Sequence, residues 1–261
     1  MSKRSVRGPI TMLFALLALL CIGALAQAET ARKGDLQVRF EGKLAPQTLP
    51  RSGQAPVSVS VSAKVSSTGA EAPPPMRQIS IAINKDGHLD PTGLPVCQLE
   101  QIQPATTDDA LGACRGSLVG EGRFLANVSG HAPFPADGKI YAFNGELEGR
   151  PAILAHVYGT KPAPASYTLA FVVSKSKGTF GTTLKATLPP VPPGSGYITA
   201  IYLTLGKSFS VGGKKHSYFS ASCPAPKGFP GASFPFAKAS VGFQDGPTIS
   251  STLNRTCKAK G

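Results

Sequence analysis

The alternation of apolar and polar side chains is the main structural pattern in this chain. Three isoleucines, Ile79, Ile81 and Ile83, occupy every second position after the proline break at 73–75. An earlier segment shows the same alternation, with serine and lysine separating Val57, Val59, Val61 and Val65. A period of two places the apolar side chains on one face of an extended strand and the polar ones on the other. Both segments are therefore predicted to be half-buried β-strands.

Further segments are short, rich in β-branched and aromatic residues, and bounded by Gly, Pro, Asn or Asp: 36–41, 123–129, 139–143, 153–158, 167–173, 182–188, 197–205, 217–222 and 248–253. One helical turn is predicted over 107–113, with Thr107 as its N-cap. About eleven short strands with tight connections predict an all-β fold, an antiparallel β-sandwich of the jelly-roll kind.

The first 28 residues have the pattern of a signal peptide. Lys3, Arg4 and Arg7 precede an apolar run over 12–25, and the small residues of Ala26-Gln27-Ala28 fit a cleavage site. We expect cleavage after residue 28 and a single β-sandwich domain over 29–261 in a secreted or envelope-associated protein. The proline-rich stretch 189–196 is an alternative boundary within that domain.

Four cysteines remain once Cys21 leaves with the signal peptide. An even count in an exported chain predicts two disulfides with three alternative connectivities among Cys97, Cys114, Cys223 and Cys257. Sequential pairing is favoured because each loop then closes locally. The spacing includes no CxxC pair, which argues against a zinc site.

Charge is distributed unevenly along the chain. The 261 residues include 27 Lys and Arg against 14 Asp and Glu, a net charge of +13. Residues 151–261 hold 12 basic side chains, eleven of them lysine, against one acidic side chain. Lysine is a hydrated point charge that suits diffuse contact with polyanions rather than specific nucleic-acid recognition. The candidate anion-contacting residues are Lys175, Lys177, Lys207, Lys214 and Lys215.

These features favour a non-enzymatic secreted protein that associates with an anionic cell-wall polymer or a membrane surface. A basic face that only keeps the protein soluble is an equal alternative. A carbohydrate-binding module is a further alternative. The chain lacks Trp, the strongest stacking side chain, and tyrosine would have to replace it at Tyr141, Tyr158, Tyr202 or Tyr218.

A secreted hydrolase of the glycosidase type is the third alternative, and it would use the carboxylates of Glu146 and Glu148. No Gly-x-Ser-x-Gly elbow is present. The acidic residues around His88 miss the calcium-loop spacing, and the four histidines show no ligand spacing. We therefore expect no catalytic residue, no metal and no cofactor. The residues Asn144, Gly145 and Gly149 are typical of a hairpin turn.

Several short motifs resemble those of a family of secreted actinobacterial proteins to which no activity is assigned. They include Gly93-Leu94-Pro95-Val96-Cys97, Leu118-Val119-Gly120-Glu121-Gly122 and Phe143-Asn144-Gly145, with the likeness continuing through Tyr218 and Cys223. The resemblance covers roughly residues 40–224. It implies a signal peptide, a β-rich body and an extracellular location, and it transfers no catalytic residue.

Overall fold

A computed structural model describes residues 28–128, 134–160, 163–190 and 196–260. The predicted signal peptide, 1–28, lies outside these residues except for Ala28. Eighteen strands are described: β1 Ala28–Lys33, β2 Leu36–Ala45, β3 Thr48–Pro50, β4 Ala55–Pro56, β5 Ser58–Ser67, β6 Met76–Asn84, β7 Gly87–Leu89, β8 Leu118–Val128, β9 Phe134–Leu147, β10 Arg150–Gly159, β11 Ala165–Lys175, β12 Phe180–Thr187, β13 Gly196–Leu205, β14 Ser208–Val211, β15 Lys214–Ser217, β16 Phe219–Ala221, β17 Gly231–Phe243 and β18 Thr248–Lys260. Two helices, α1 Leu99–Ile102 and α2 Thr107–Cys114, lie between β7 and β8.

Thirteen strands form one sheet in the order β1-β2-β5-β13-β8-β9-β10-β11-β12-β6-β17-β18-β3. Their pairing is antiparallel except between β18 and β3 at one edge. Two smaller sheets, β14-β15 and β4-β16-β7, complete the fold. The prediction of an all-β, predominantly antiparallel protein is therefore confirmed. The strands β12 and β13, which flank the proline-rich stretch, belong to the same sheet.

The sheet curls so that distant stretches of it face each other across one apolar core, as the two layers of a sandwich do. Phe171 of β11 and Leu203 of β13 line the same interior space, although three strands lie between them in the sheet. The predicted alternation over 57–65 places Val59 and Val65 in this core. On β6, Ile79 and Ile83 are likewise buried.

The two edge regions of the curled sheet meet at an ion pair. Arg255 of β18 donates from Nη1 to Glu29 Oε1 of β1 at 2.6 Å, and both side chains are largely buried. The Nε of Arg255 donates to the carbonyl oxygen of Gly42 on β2. These contacts join strands from the first and last parts of the described chain.

Both disulfides have the sequential pairing. Cys97 bonds to Cys114 across 17 residues, and Cys223 bonds to Cys257 across 34. The second bridge joins the segment after β16 to β18. Disulfides are compatible with an extracellular protein. Neither helix within the described ranges is long and apolar enough to cross a membrane.

The first disulfide holds a small helical cap, formed by residues 97–114, on the outer face of the sheet. Its apolar residues pack with Phe143 of β9 and Leu154 of β10 in a second buried cluster. The helix predicted near 107–113 is present, but Thr106 caps it instead of Thr107. The Oγ1 of Thr106 accepts from the backbone N–H of Asp109 at 3.2 Å.

Of the residues predicted to form a hairpin turn, Gly149 does so, whereas Asn144 and Gly145 do not. Both residues are within β9, and the two-residue hairpin turn is formed by Glu148 and Gly149, whose φ angles are 52° and 70°. A Cβ at position 145 would lie 2.6 Å from the carbonyl oxygen of Cys97. The absence of a side chain at Gly145 therefore allows the cap to approach the sheet closely.

Candidate functional site

Within the described part of the chain, no other element covers the outer face of the sheet where β5, β13 and β8 lie side by side. Residues 61, 203 and 122 are paired across these strands, and the register places Tyr202 between Ser62 and Arg123. Because alternate residues on a strand point to opposite faces, the polar side chains of the three strands share the outer face. Thr204 and Ser60 confirm the arrangement, because their hydroxyl oxygens are 2.9 Å apart and solvent-exposed.

This face contains a broad groove of about 710 Å³. Three basic residues line it: Arg115 from the turn after α2, Arg123 from β8 and Lys207 from the loop after β13. Glu121 is the acidic residue in the lining, and Tyr202 and Thr204 supply an aromatic ring and a hydroxyl. The groove thus combines an excess of positive charge with polar groups that donate hydrogen bonds.

Tyr202 holds cationic side chains against its ring. The guanidinium carbon of Arg123 lies 4.8 Å from the ring centroid, and Lys64 Nζ lies 5.7 Å from it. Both distances are within the range of a cation–π interaction. The tyrosine therefore holds two positive charges on the outer face, and one of them, Arg123, lines the groove.

Lys207 is fixed in position by the loop before β8. Its Nζ donates to the carbonyl oxygen of Gly116 at 2.6 Å. Burial lowers the pKa of the Lys207 ammonium, because the charged form loses solvation. An ammonium that is partly desolvated interacts more strongly with an approaching anion than a fully hydrated one does.

Of the five lysines predicted to contact anions, the groove contains only Lys207. Lys175 is at the end of β11 and Lys177 is in the turn that follows, and both are exposed. Lys214 and Lys215 begin β15, at the tip of the β14-β15 hairpin, and are also exposed. The structure thus places the predicted lysines on three separate segments.

The proposed carboxylate pair has other partners. Glu146 Oε1 accepts from the side-chain amide of Gln98 at 3.0 Å. Glu148 forms the exposed hairpin turn and pairs with Arg150 at 3.0 Å. These contacts give both acids structural roles in the turn and in the attachment of the cap.

The acidic segment around β7 also has partners of its own. Asp90 Oδ2 is 3.3 Å from His216 Nδ1, and Asp86 pairs with Lys85. The hydrogen bond from Thr92 lowers the pKa of Asp90, with His216 adding to the effect and burial opposing it. Within the described ranges, no three His, Cys, Asp or Glu side chains come together as a metal-binding set.

The four tyrosines considered for sugar stacking differ in their surroundings. Tyr218 is buried in the core, and burial raises its pKa strongly. Tyr141 packs against the cap cluster. Tyr158 is half-buried near the end of β10. Tyr202 lines the groove, and its ring already makes cation–π contacts with Arg123 and Lys64.

Sequence reasoning missed the two arginines of the groove and Lys64. The polar face of β5 was evident from the alternation, and Lys64 belongs to that face. Arg123 alternates with Glu121 on β8 in the same manner. That Lys64 and Arg123 meet at Tyr202 depends on the strand order, which a single sequence does not provide.

We compared the chain with protein-family models, with curated proteins and with solved structures, and found no significant match in any of the three comparisons.

Proposed function

We propose that this protein is an extracellular, non-enzymatic binding protein that holds an anionic cell-wall polymer in the groove on its outer face. The observation that carries the proposal is that Arg115, Arg123 and Lys207 line one groove of about 710 Å³ together with Tyr202. A groove lined mainly by one sign of charge raises the local concentration of ligands of the opposite sign.

A charged polymer fits this groove better than a neutral sugar does. Stacking of a sugar on Tyr202 would require displacement of Arg123, which lies 4.8 Å from the ring centroid. An anionic group instead approaches Arg123 and Lys64 where they already are, and the open shape of the groove accommodates a chain that continues in both directions. The carbohydrate-binding alternative is therefore the weaker one.

Secretion is part of the proposal. The basic start, the apolar run and the small residues before position 29 support export, and the two disulfides suit an oxidising compartment. An exported protein encounters wall polymers and anionic lipid surfaces, and both repeat their negative charges.

The test uses inorganic polyphosphate as the polymer probe, with binding measured by calorimetry from low to high salt. We expect affinity to fall steeply as salt rises, because exposed charges are screened beyond about 10 Å at 0.1 M salt. Arg123→Gln or Arg115→Gln should each weaken binding about two- to fivefold at low salt, the range typical of exposed ion pairs.

The matched control is the double variant Lys214→Gln/Lys215→Gln, which removes two charges from the hairpin tip and leaves the groove intact. Its affinity for polyphosphate should stay close to that of the original protein. Equal losses in the control and in the groove variants would show that net charge, and not the groove, causes binding. Preferential binding to phosphatidylglycerol vesicles over polyphosphate would identify a membrane surface as the partner instead.

A further inference from the structure

A cavity of about 360 Å³ lies inside the curled sheet, on the face opposite the groove. Its lining is almost entirely apolar and comes from five consecutive strands, β13-β8-β9-β10-β11, and from Ala163 and Leu188 beside them. At its inner end, Phe171 and Leu203 are buried in the core. At its outer end, Ala163 and Ala165 are exposed, so the cavity leads from the surface into the interior.

The cavity exists because small side chains stand at inward-facing positions. Ala126, Ala155 and Gly159 line it where other parts of the inner face carry leucine, isoleucine or phenylalanine. Folded interiors are normally packed as densely as organic crystals, so a space of this size is not a routine packing defect. Its volume is at the lower end of the range for small-molecule sites.

A cationic and a phenolic side chain stand near the outer end. Arg77 of β6 is half-buried and donates from Nη1 to the carbonyl oxygen of Leu188. Leu188 and Tyr167 both line the cavity. Burial raises the pKa of Tyr167, and the positive charge of Arg77 opposes part of that shift.

We propose that this cavity binds a single alkyl chain that ends in an anionic group, with the chain inside and the anionic group beside Arg77. The apolar lining suits methylene groups, which gain about 0.8 kcal/mol each when they leave water, or about a three- to fourfold rise in affinity per CH₂. The volume fits one chain rather than the two of a phospholipid. The guanidinium recognises a carboxylate or a phosphate through paired hydrogen bonds.

The probes are saturated fatty acids of 8 to 14 carbons and a lysophosphatidylglycerol, each titrated below its micelle concentration into the purified protein. Calorimetry should show one site, with affinity rising about three- to fourfold per CH₂ until the cavity is full. Tighter binding of the fatty acids or of the lysolipid identifies the source of the anionic chain, and either result supports the proposal.

Two kinds of variant test the two parts of the proposal separately: the cavity that holds the alkyl chain and the arginine that binds the anionic group. Ala155→Leu and, independently, Ala126→Leu fill the cavity and should reduce dodecanoate affinity at least tenfold. Thermal unfolding and circular dichroism identify the filled variants that retain the fold. Arg77→Gln keeps the cavity and should make dodecanoate and 1-dodecanol bind equally, whereas the original protein should prefer dodecanoate.

Arg123→Gln is the matched control, because it removes an arginine from the opposite face and should leave dodecanoate affinity unchanged. Conversely, Arg77→Gln should leave polyphosphate binding unchanged, so the two proposals fail independently. The absence of saturable binding across the whole chain-length series would overturn the alkyl-chain site. Unchanged dodecanoate affinity in a folded cavity-filled variant would also overturn it.

Discussion

The outer face of the sheet has two regions with opposite character. Over β9, β10 and β11 the helical cap covers the face, and Phe143 and Leu154 are fully buried beneath it. Over β5, β13 and β8 the face is open and carries Ser60, Thr204 and Arg123. Both regions enclose the same core on the inner side, so only the covering of the outer side distinguishes them.

The strand sequences of the covered and the open region differ in a corresponding way. On β10, residues 152–156 read Ala-Ile-Leu-Ala-His, and every one of them is buried. On β5, valine alternates with serine, and only one face is apolar. A strand buried on both faces has a continuous apolar run, whereas a strand with one solvated face alternates. The sequence of a strand therefore indicates whether a second structural element must cover its outer face.

The largest contrast between the two regions is expected from truncating outward-facing side chains. Leu154→Ala should lower the free energy of unfolding by about 3–5 kcal/mol, because it leaves a cavity beneath the cap. Thr204→Ala, on the open face, should lower it by less than about 1 kcal/mol. Denaturant unfolding measures both. Similar losses in the two variants would show that the cap does not bury the covered region.

Removing the disulfide of the cap should have the next largest effect. In the double variant Cys97→Ala/Cys114→Ala, the unfolded chain regains the freedom of a 17-residue loop, worth about 3 kcal/mol. Hydrogen exchange should also become faster for the backbone amides of α1 and α2. The open face over β13 serves as the internal control, and equally accelerated exchange there would contradict a local role for the bridge.

The smallest of these effects is the pH dependence that His156 causes. Its side chain is 0% exposed under the cap, and its ring nitrogens lack hydrogen-bond partners of normal geometry among the described residues. Burial lowers the pKa of the imidazole, with the backbone of Ile102 opposing the shift in part. The unfolded chain therefore binds a proton more readily than the folded one below pH about 6.5.

Stability due to this group is present above pH 6.5 and is lost as the pH falls, by at most about 1.4 kcal/mol per unit. His156→Gln should flatten the dependence of unfolding free energy on pH between 7.5 and 5. The exposed residue His88 provides the matched control, and His88→Gln should leave the slope unchanged. A slope that persists in His156→Gln would assign the pH dependence to other groups.

Local patterns predicted much of the fold. The valine alternation located β5, the isoleucine alternation located β6, and the even number of cysteines in locally closing loops gave the correct disulfides. The N-cap was displaced by one residue because Thr106 and Thr107 are adjacent, and only the φ and ψ angles of the folded chain distinguish them. The strand order of the curled sheet was not predictable from these patterns.

The candidate sites depend on that strand order. Tyr202 meets Lys64 and Arg123 across two strand pairings that join residues more than 75 positions apart. The apolar cavity likewise depends on Ala126 and Ala155 facing a common space from strands that are not adjacent. A one-dimensional pattern identifies which face each residue takes, but it does not identify the residue's neighbours.

The ion pair between Glu29 and Arg255 has a consequence for the order of folding. The strands that it joins are separated by more than 200 residues, and β6 obtains its neighbour β17 only after residue 231. Contacts between such distant segments form slowly, because the intervening chain must first lose its freedom. The curled sheet therefore closes only after the chain segments that form β17 and β18 have been synthesised. Until then, the edge of β6 remains exposed to association with other chains.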